Sequence, residues 1–162
     1  MFNRIKFREL SDDDIDKLFE IYSDKDAMKY RVSQPMGSLD DAARFVENQR
    51  LQEGNILTIR KGVELKKNKT LIGTSMYRYD NRRKEECEIG YSIGRAFWGD
   101  GLGQEIVKKM VEMLALNEKN RIVTAWCSKE NKASIKVLEK NDFCLMDQDI
   151  SDYNFCYQKR IE

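Results

Sequence analysis

No histidine occurs anywhere in the 162 residues. That absence removes Ser-His-Asp and Cys-His nucleophilic machinery and any imidazole base, so proton transfer must fall to carboxylates, hydroxyls or amines. Cysteine is scarce and scattered, at Cys87, Cys127, Cys144 and Cys156. No pair is spaced Cys-x-x-Cys, which leaves out the usual zinc sites, and no metal is expected. The four thiols read as small buried hydrophobes in a reducing compartment, so the expected location is the cytoplasm. No apolar run approaches the ~20 residues of a membrane span, and the opening Met1-Phe2-Asn3-Arg4-Ile5-Lys6 lacks the apolar centre of a signal peptide. Neither sign of charge dominates: 29 Lys and Arg face 28 Asp and Glu, for a net charge of +1. That balance gives no field suited to a polyanion, so neither nucleic acid nor membrane is an expected partner. Repeats, low-complexity tracts and linkers are missing too, and residues 1–162 are expected to form one domain.

Glycine is sparse but concentrated. Gly99, Gly101 and Gly103 fall in the stretch Phe97-Trp98-Gly99-Asp100-Gly101-Leu102-Gly103-Gln104-Glu105. A strand-like run, Glu88 to Ile93, precedes it and a helix-like run, Ile106 to Leu116, follows. A glycine turn between strand and helix presents bare backbone N–H groups at the positive end of a helix dipole, a geometry that holds phosphates. The plain structural alternative is a tight turn packed closely on a sheet. A Walker A loop is excluded, because Asp100 and Gly101 follow Gly99 where Lys and Ser/Thr are required. The Rossmann fingerprint fails as well, since these glycines are spaced two apart.

A third pattern, Gln/Arg-x-x-Gly-x-Gly/Ala, matches the glycines of Trp98-Gly99-Asp100-Gly101-Leu102-Gly103, with Trp98 in the leading position. Further on, Asn131-Lys132-Ala133-Ser134-Ile135-Lys136-Val137-Leu138-Glu139-Lys140-Asn141-Asp142-Phe143 follows the pattern Asn-x-x-Ser-x-x-x-Leu-x-Lys-x-Gly-Phe, except for Asp142. A strand-like Ile122-Val123-Thr124-Ala125-Trp126 comes just before. Together the two segments resemble the GNAT superfamily of N-acetyltransferases. Glu88-Ile89-Gly90-Tyr91 and the Trp98 loop resemble its ribosomal-protein (RimJ/RimL-like) branch. The likeness is sharp from about Glu85 to Phe143 and general before that. Asp142 replaces the usual glycine, and Asp tolerates the left-handed backbone needed to end a helix there.

The rest of the chain supplies a matching order of elements. Ile5 to Leu10 alternates as a half-buried strand. Ser11 and Asp14 then open a helix with Ile15, Leu18, Phe19 and Tyr22 on one face. Ser33 to Gly37 is a loop holding the only proline. Ser38 starts a second helix with Ala42, Phe45, Val46 and Leu51 on its apolar face, ended by Gly54-Asn55. Ile56–Arg60, Leu71–Tyr79 and Cys87–Ile93 read as an antiparallel meander, and Tyr153–Ile161 as the last strand. The fold class is mixed α/β: a mostly antiparallel sheet of about six to seven strands with helices on both faces.

The resemblance implies acetyl-CoA as co-substrate and a primary amine as acceptor, with no metal. The pantetheine would lie between two splayed parallel strands, mapped to Glu88–Ile93 and Ile122–Cys127. Backbone at Ser92 and Ile93 would hold it, Asn131 would hydrogen-bond its arm, and the N–H groups of Gly99, Asp100, Gly101, Leu102, Gly103 and Gln104 would take the pyrophosphate. Trp98 is expected to pack beneath the loop. Glu88 is the candidate general base, or an anchor for the substrate ammonium, on the same strand face as Gly90 and Ser92, with Glu86 as the alternate carboxylate. Ser134 is the candidate donor to the departing thiolate, with Tyr153 or Tyr157 as alternatives. The acceptor read from the branch is a protein N-terminal α-amine. A polyamine, amino sugar or drug amine is the alternative, and a CoA-binding regulatory module without catalysis is a third reading. A homodimer stays open.

Overall fold

Eight strands form one sheet in the computed structural model, which describes residues 3–31, 33–146 and 154–162. In chain order they are β1 (Ile5–Arg8), β2 (Arg50–Glu53), β3 (Ile56–Leu65), β4 (Leu71–Asp80), β5 (Glu86–Ile93), β6 (Ile122–Ser128), β7 (Cys144–Leu145) and β8 (Asn154–Arg160). Four helices accompany them: α1 (Ile15–Ser23), α2 (Leu39–Glu47), α3 (Leu102–Ala115) and α4 (Lys132–Lys140). The strand order is β1-β3-β4-β5-β6-β8-β7, with β2 paired to the first half of β3. Every pairing is antiparallel except β5 with β6.

Alternation along the strands sorts the side chains onto two faces. Tyr77, Cys87, Ile89, Val123 and Tyr157 join Ile106, Val107, Met110 and Leu138 of α3 and α4 in the larger apolar core. Leu18, Ile21 and Tyr22 of α1 and Ala42 and Val46 of α2 build a second cluster with Leu10, Met28 and Leu71. This second cluster covers only part of the opposite face, where Tyr22 reaches Thr74 of β4 and Ser92 of β5. Helices therefore lie on both faces, as expected.

Local signals act as read. Ser11 and Asp14 form a capping box, and Ser38 accepts from the Asp41 N–H at 3.4 Å to start α2. Asp142 takes the left-handed conformation, φ 62°, just after α4. Two readings change. Leu51 is not on α2: that helix stops at Glu47, and Arg50–Glu53 pairs with Ile56–Ile59 through a turn at Gly54 (φ 57°). With one half-buried apolar residue, β2 carries too little pattern to be seen without its partner strand. The exposed two-residue β7 was invisible for the same reason. Of the cysteines, Cys87 and Cys127 are buried as expected, whereas Cys144 is exposed and Cys156 half-buried. Burial pushes the thiols of Cys87 and Cys127 up to about 11. The expected last strand begins at Asn154, and Tyr153 lies outside the described residues.

Candidate active site

The parallel pairing of β5 with β6 runs only from Glu86↔Ile122 to Ile89↔Ala125. Beyond it β5 continues to Ile93 alongside β4, and β6 continues to Ser128 alongside β8. The two strands part, leaving a slot edged by the backbone of Gly90–Ile93 and Trp126–Ser128. An extended ligand arm with amide groups fits such a slot by adding to the strand edges.

The glycine turn lies at the end of β5. Gly99 and Gly101 have φ 79° and 73°, values that strain any L-residue. A Cβ on Gly99 would meet nothing within 4 Å, so the turn is open on that side. Gly101 caps α3 without a side-chain hydrogen bond, and the first N–H groups of a helix have no intrahelical acceptors. Leu102, Gly103 and Gln104 thus present a helix N-terminus suited to a pyrophosphate. Gly103 is needed for proximity instead: its Cβ would stand 3.4 Å from both Tyr91 and Val137.

Trp98 is placed differently from expectation. Its side chain is 52% exposed rather than tucked beneath the loop, and its indole N–H donates to the Ile93 carbonyl at 2.9 Å. It tethers the loop to the end of β5, and in doing so it occupies the Ile93 carbonyl. A basic residue near the loop comes from the other end of the chain. Arg4 donates through Nη1 to the Asp100 carbonyl at 2.9 Å and through Nε to Glu105 at 2.8 Å, while its backbone N–H meets Glu105 at 2.6 Å. Glu105 is 3% exposed, so this clasp fixes the loop to β1. A lone Arg a hundred residues upstream gives no signal in sequence.

Glu88 stands one residue before the strands part, opposite Thr124 on β6 and Arg78 on β4. Its carboxylate lies 4.0 Å from the Arg78 guanidinium, with the side chain 30% exposed. Burial raises its pKa above the ordinary carboxylate range, Arg78 opposes that, and the neighbouring Glu86 adds to it. Glu86 itself is tied to Arg83 at 3.3 Å. On the Glu88 face, a Cβ on Gly90 would meet only the side chain of Met76, so a recess separates Glu88 from Ser92. Ser92 donates to the Tyr22 hydroxyl at 3.0 Å, and that hydroxyl also bonds Thr74.

Ser134 and Asn131 sit across the slot at the start of α4. The Asn131 side-chain oxygen accepts from the Ser134 N–H at 3.1 Å, so Asn131 caps the helix. The Ser134 hydroxyl is 3.2 Å from the Tyr91 hydroxyl. Tyr91 points to the α3–α4 face and wedges between Gly103 and Ser134, joining the two motif segments. Tyr157 is core instead: 2% exposed, with its hydroxyl 3.4 Å from Glu139.

The chain belongs to the GNAT acetyltransferases, acetyl-CoA-dependent N-acetyltransferases whose domain model matches residues 4–144. An uncharacterized N-acetyltransferase, p20, of Bacillus licheniformis is 28% identical over 86% of this chain and 79% of its own length. YoaA of Bacillus subtilis, also an uncharacterized N-acetyltransferase, is 26% identical over 87% and 80%. Among solved structures, spermidine N-acetyltransferase from Vibrio cholerae, bound to CoA and spermine, superposes with a TM-score of 0.80 at 14% identity, covering 97% of this chain and 95% of that one. RimL, a ribosomal L7/L12 α-N-protein acetyltransferase bound to CoA, also gives 0.80, at 16% identity and 98% and 95% coverage. The acyl-transfer chemistry thus rests on family membership, and these two structures share the fold. No helix among the described residues is long and apolar enough to cross a membrane.

Proposed function

We propose that this protein acetylates the α-amine at a protein N-terminus, with the whole chain serving as one acetyltransferase domain. Acetyl-CoA supplies an acyl group already activated as a thioester. The protein's part is to hold the phosphates at Gly99–Gln104, to thread the arm between β5 and β6, and to deliver a deprotonated amine. The observation that carries this reading is Glu88, set on the open sheet face one residue before β5 and β6 part. A carboxylate with a raised pKa is a competent acceptor for the ammonium proton, because an ammonium has no lone pair with which to attack. Ser134, oriented through Tyr91, offers a hydroxyl hydrogen bond on the leaving-group side.

Support for an N-terminal acceptor comes from the RimL-like Glu88–Tyr91 strand and Trp98 loop and from RimL among the structural neighbours. The experiment is incubation of the purified protein with acetyl-CoA and a mixed panel of free N-terminal peptides, N-terminally blocked controls and small amines, read by mass. Acetyl gain on the free peptides alone is the expected result. Acetylation of spermine-like amines with peptides untouched would reassign the acceptor. Tight acetyl-CoA binding without transfer to any amine would instead make the protein a regulatory module.

A further inference from the structure

The face that carries Glu88 also carries a cluster of arginines. Arg31 stacks its guanidinium 5.0 Å from the Tyr22 ring centre, and Arg60 stacks 5.3 Å from that of Phe45. The two rings are themselves 5.2 Å apart, so the four side chains form one pile from cation to cation. Tyr22 is the residue whose hydroxyl meets Ser92 at the edge of the slot. Register places the third arginine. Arg60 pairs with Met76 and Thr58 with Arg78, so Arg60 and Arg78 are diagonal neighbours on one face, roughly 7–8 Å apart. Arg78 in turn is directly opposite Glu88.

These arginines are not arranged as a structural ion-pair network. Among the described residues, neither Arg31 nor Arg60 makes an ion pair, and Arg78 makes only the loose 4.0 Å contact with Glu88. Arg60 is half-buried on Phe45, and its desolvation is compounded by the like charges of Arg31 and Arg78. Glu53 and Tyr22 oppose this without coming into ion-pair contact. A half-buried guanidinium whose nearest charged neighbours include two more guanidiniums has unused donors and an unmet demand for negative charge. The same cluster would repel a polyamine or an aminoglycoside.

We propose that the acceptor carries an anionic group close to its amine, bound by Arg60 and Arg78 with Arg31 at the rim. Resting on the N-terminal reading above, this means a peptide with an acidic side chain among its first residues. The amine would lie over Gly90 between Glu88 and Ser92, while the acid reaches across β4 to β3. A carboxylate and a phosphate satisfy the same guanidiniums, so both are tested.

The test is calorimetric titration of the CoA-loaded protein with peptides identical except at the second and third residues: Glu, phosphoserine, Gln or Lys. Turnover with acetyl-CoA is followed alongside. The Glu or phosphoserine peptide should bind at least about tenfold tighter than the Gln peptide, and the Lys peptide weakest. Arg60→Gln and Arg78→Gln should each bring the acidic-to-neutral ratio toward one, with acetyl-CoA affinity as the check on folding. A stronger effect with phosphoserine selects phosphate over carboxylate. Equal affinities, a preference for Lys, an acidic preference that survives both substitutions, or no binding by any anionic amine would overturn the proposal. Acid-selective binding with acetyl transfer only to small anionic amines would leave the anion site standing and remove the N-terminal reading.

Discussion

The two faces of β4 and β5 are made from alternate residues of the same strands, yet they have little in common. On one, Tyr77, Cys87 and Ile89 are 7%, 0% and 3% exposed, closed over by α3 and α4. On the other, Met76, Arg78, Glu88, Gly90 and Ser92 form a polar, partly open surface that α1 and α2 cover at one end only. One face holds the sheet together, and the other is free to carry charge. Because the side-chain period is two, a strand can do both without a compromise at any single position. Tyr91 and Ser92 show this most closely: adjacent in sequence, one reaches Ser134 on the α3–α4 side and the other reaches Tyr22 on the α1–α2 side.

The largest break falls where the faces meet, at the glycine turn. Gly101→Val puts a β-branched side chain at φ 73°, a conformation such residues avoid, and displaces the start of α3. Acetyl-CoA affinity should fall about a hundredfold or more, read by calorimetry. Unchanged affinity would remove the turn from the cofactor site.

Next comes the polar face itself. Glu88→Gln should lower kcat about a hundredfold while acetyl-CoA affinity holds. The pH profile sharpens the assignment. The base must be ionised to act, so the rate should climb as pH rises through the Glu88 pKa, which burial holds above the ordinary range, and then level off. Arg78 lowers that pKa, so Arg78→Gln should move the rising limb to higher pH. A profile that stays in place in both variants would deny Glu88 the role.

Much of the geometry of the candidate site is legible in the sequence, for physical reasons. Glycine spacing, the Asn131–Ser134 pair and the alternation around Glu88 are local, and local patterns survive in a linear chain. Ser134 and Asn131 do meet, as helix residue and helix cap, and the cap uses the side-chain oxygen of Asn131, the residue that the resemblance assigns to the pantetheine arm. What escaped is non-local. Arg4 reaches Glu105 across a hundred residues, and Arg60, Arg78 and Arg31 converge only through strand register and the stacking of α1 on α2. Arginines in so charged a sequence carry no mark that separates a clustered one from a solvated one. Trp98 lies elsewhere than expected because its indole N–H is bonded to the Ile93 carbonyl, a contact that sequence does not mark.

A smaller effect should come from the far end of the same polar face, where charges are paired instead of open. Arg8 bonds Asp14 at 2.7 and 2.8 Å and also Glu64, which Lys6 reaches at 3.0 Å. Asp14 and Glu64 are 6% and 4% exposed, and burial raises their pKa less than these cations, together with the Ser11 N–H on Asp14, lower it. Arg8→Met should cost about 2 kcal/mol in denaturant unfolding, reduced from a fully buried pair because the guanidinium is partly solvated. Since both carboxyls titrate lower in the folded protein, their stabilisation is present above the unfolded carboxylate range and is lost as pH falls through the folded values. The variant should therefore lose less stability on acidification than the parent. A parallel loss in both would show that this end of the face is as weakly coupled as its open end.

The smallest effect tests whether the apolar face takes any part in chemistry. Tyr91 is held between Gly103 and Ser134, and burial raises its pKa while the Ser134 hydrogen bond lowers it. A phenol kept protonated can only donate or orient, so Tyr91→Phe should cost kcat no more than about tenfold, and Ser134→Ala a similar amount. If the two act as one relay, the double variant should be no worse than either single change. Multiplying losses would mean that each hydroxyl reaches the leaving group by itself. The proposed division between a face that stabilises and a face that reacts, already crossed by Ser134, would then fail at Tyr91 as well, because both hydroxyls on the packed side would be serving the chemistry directly.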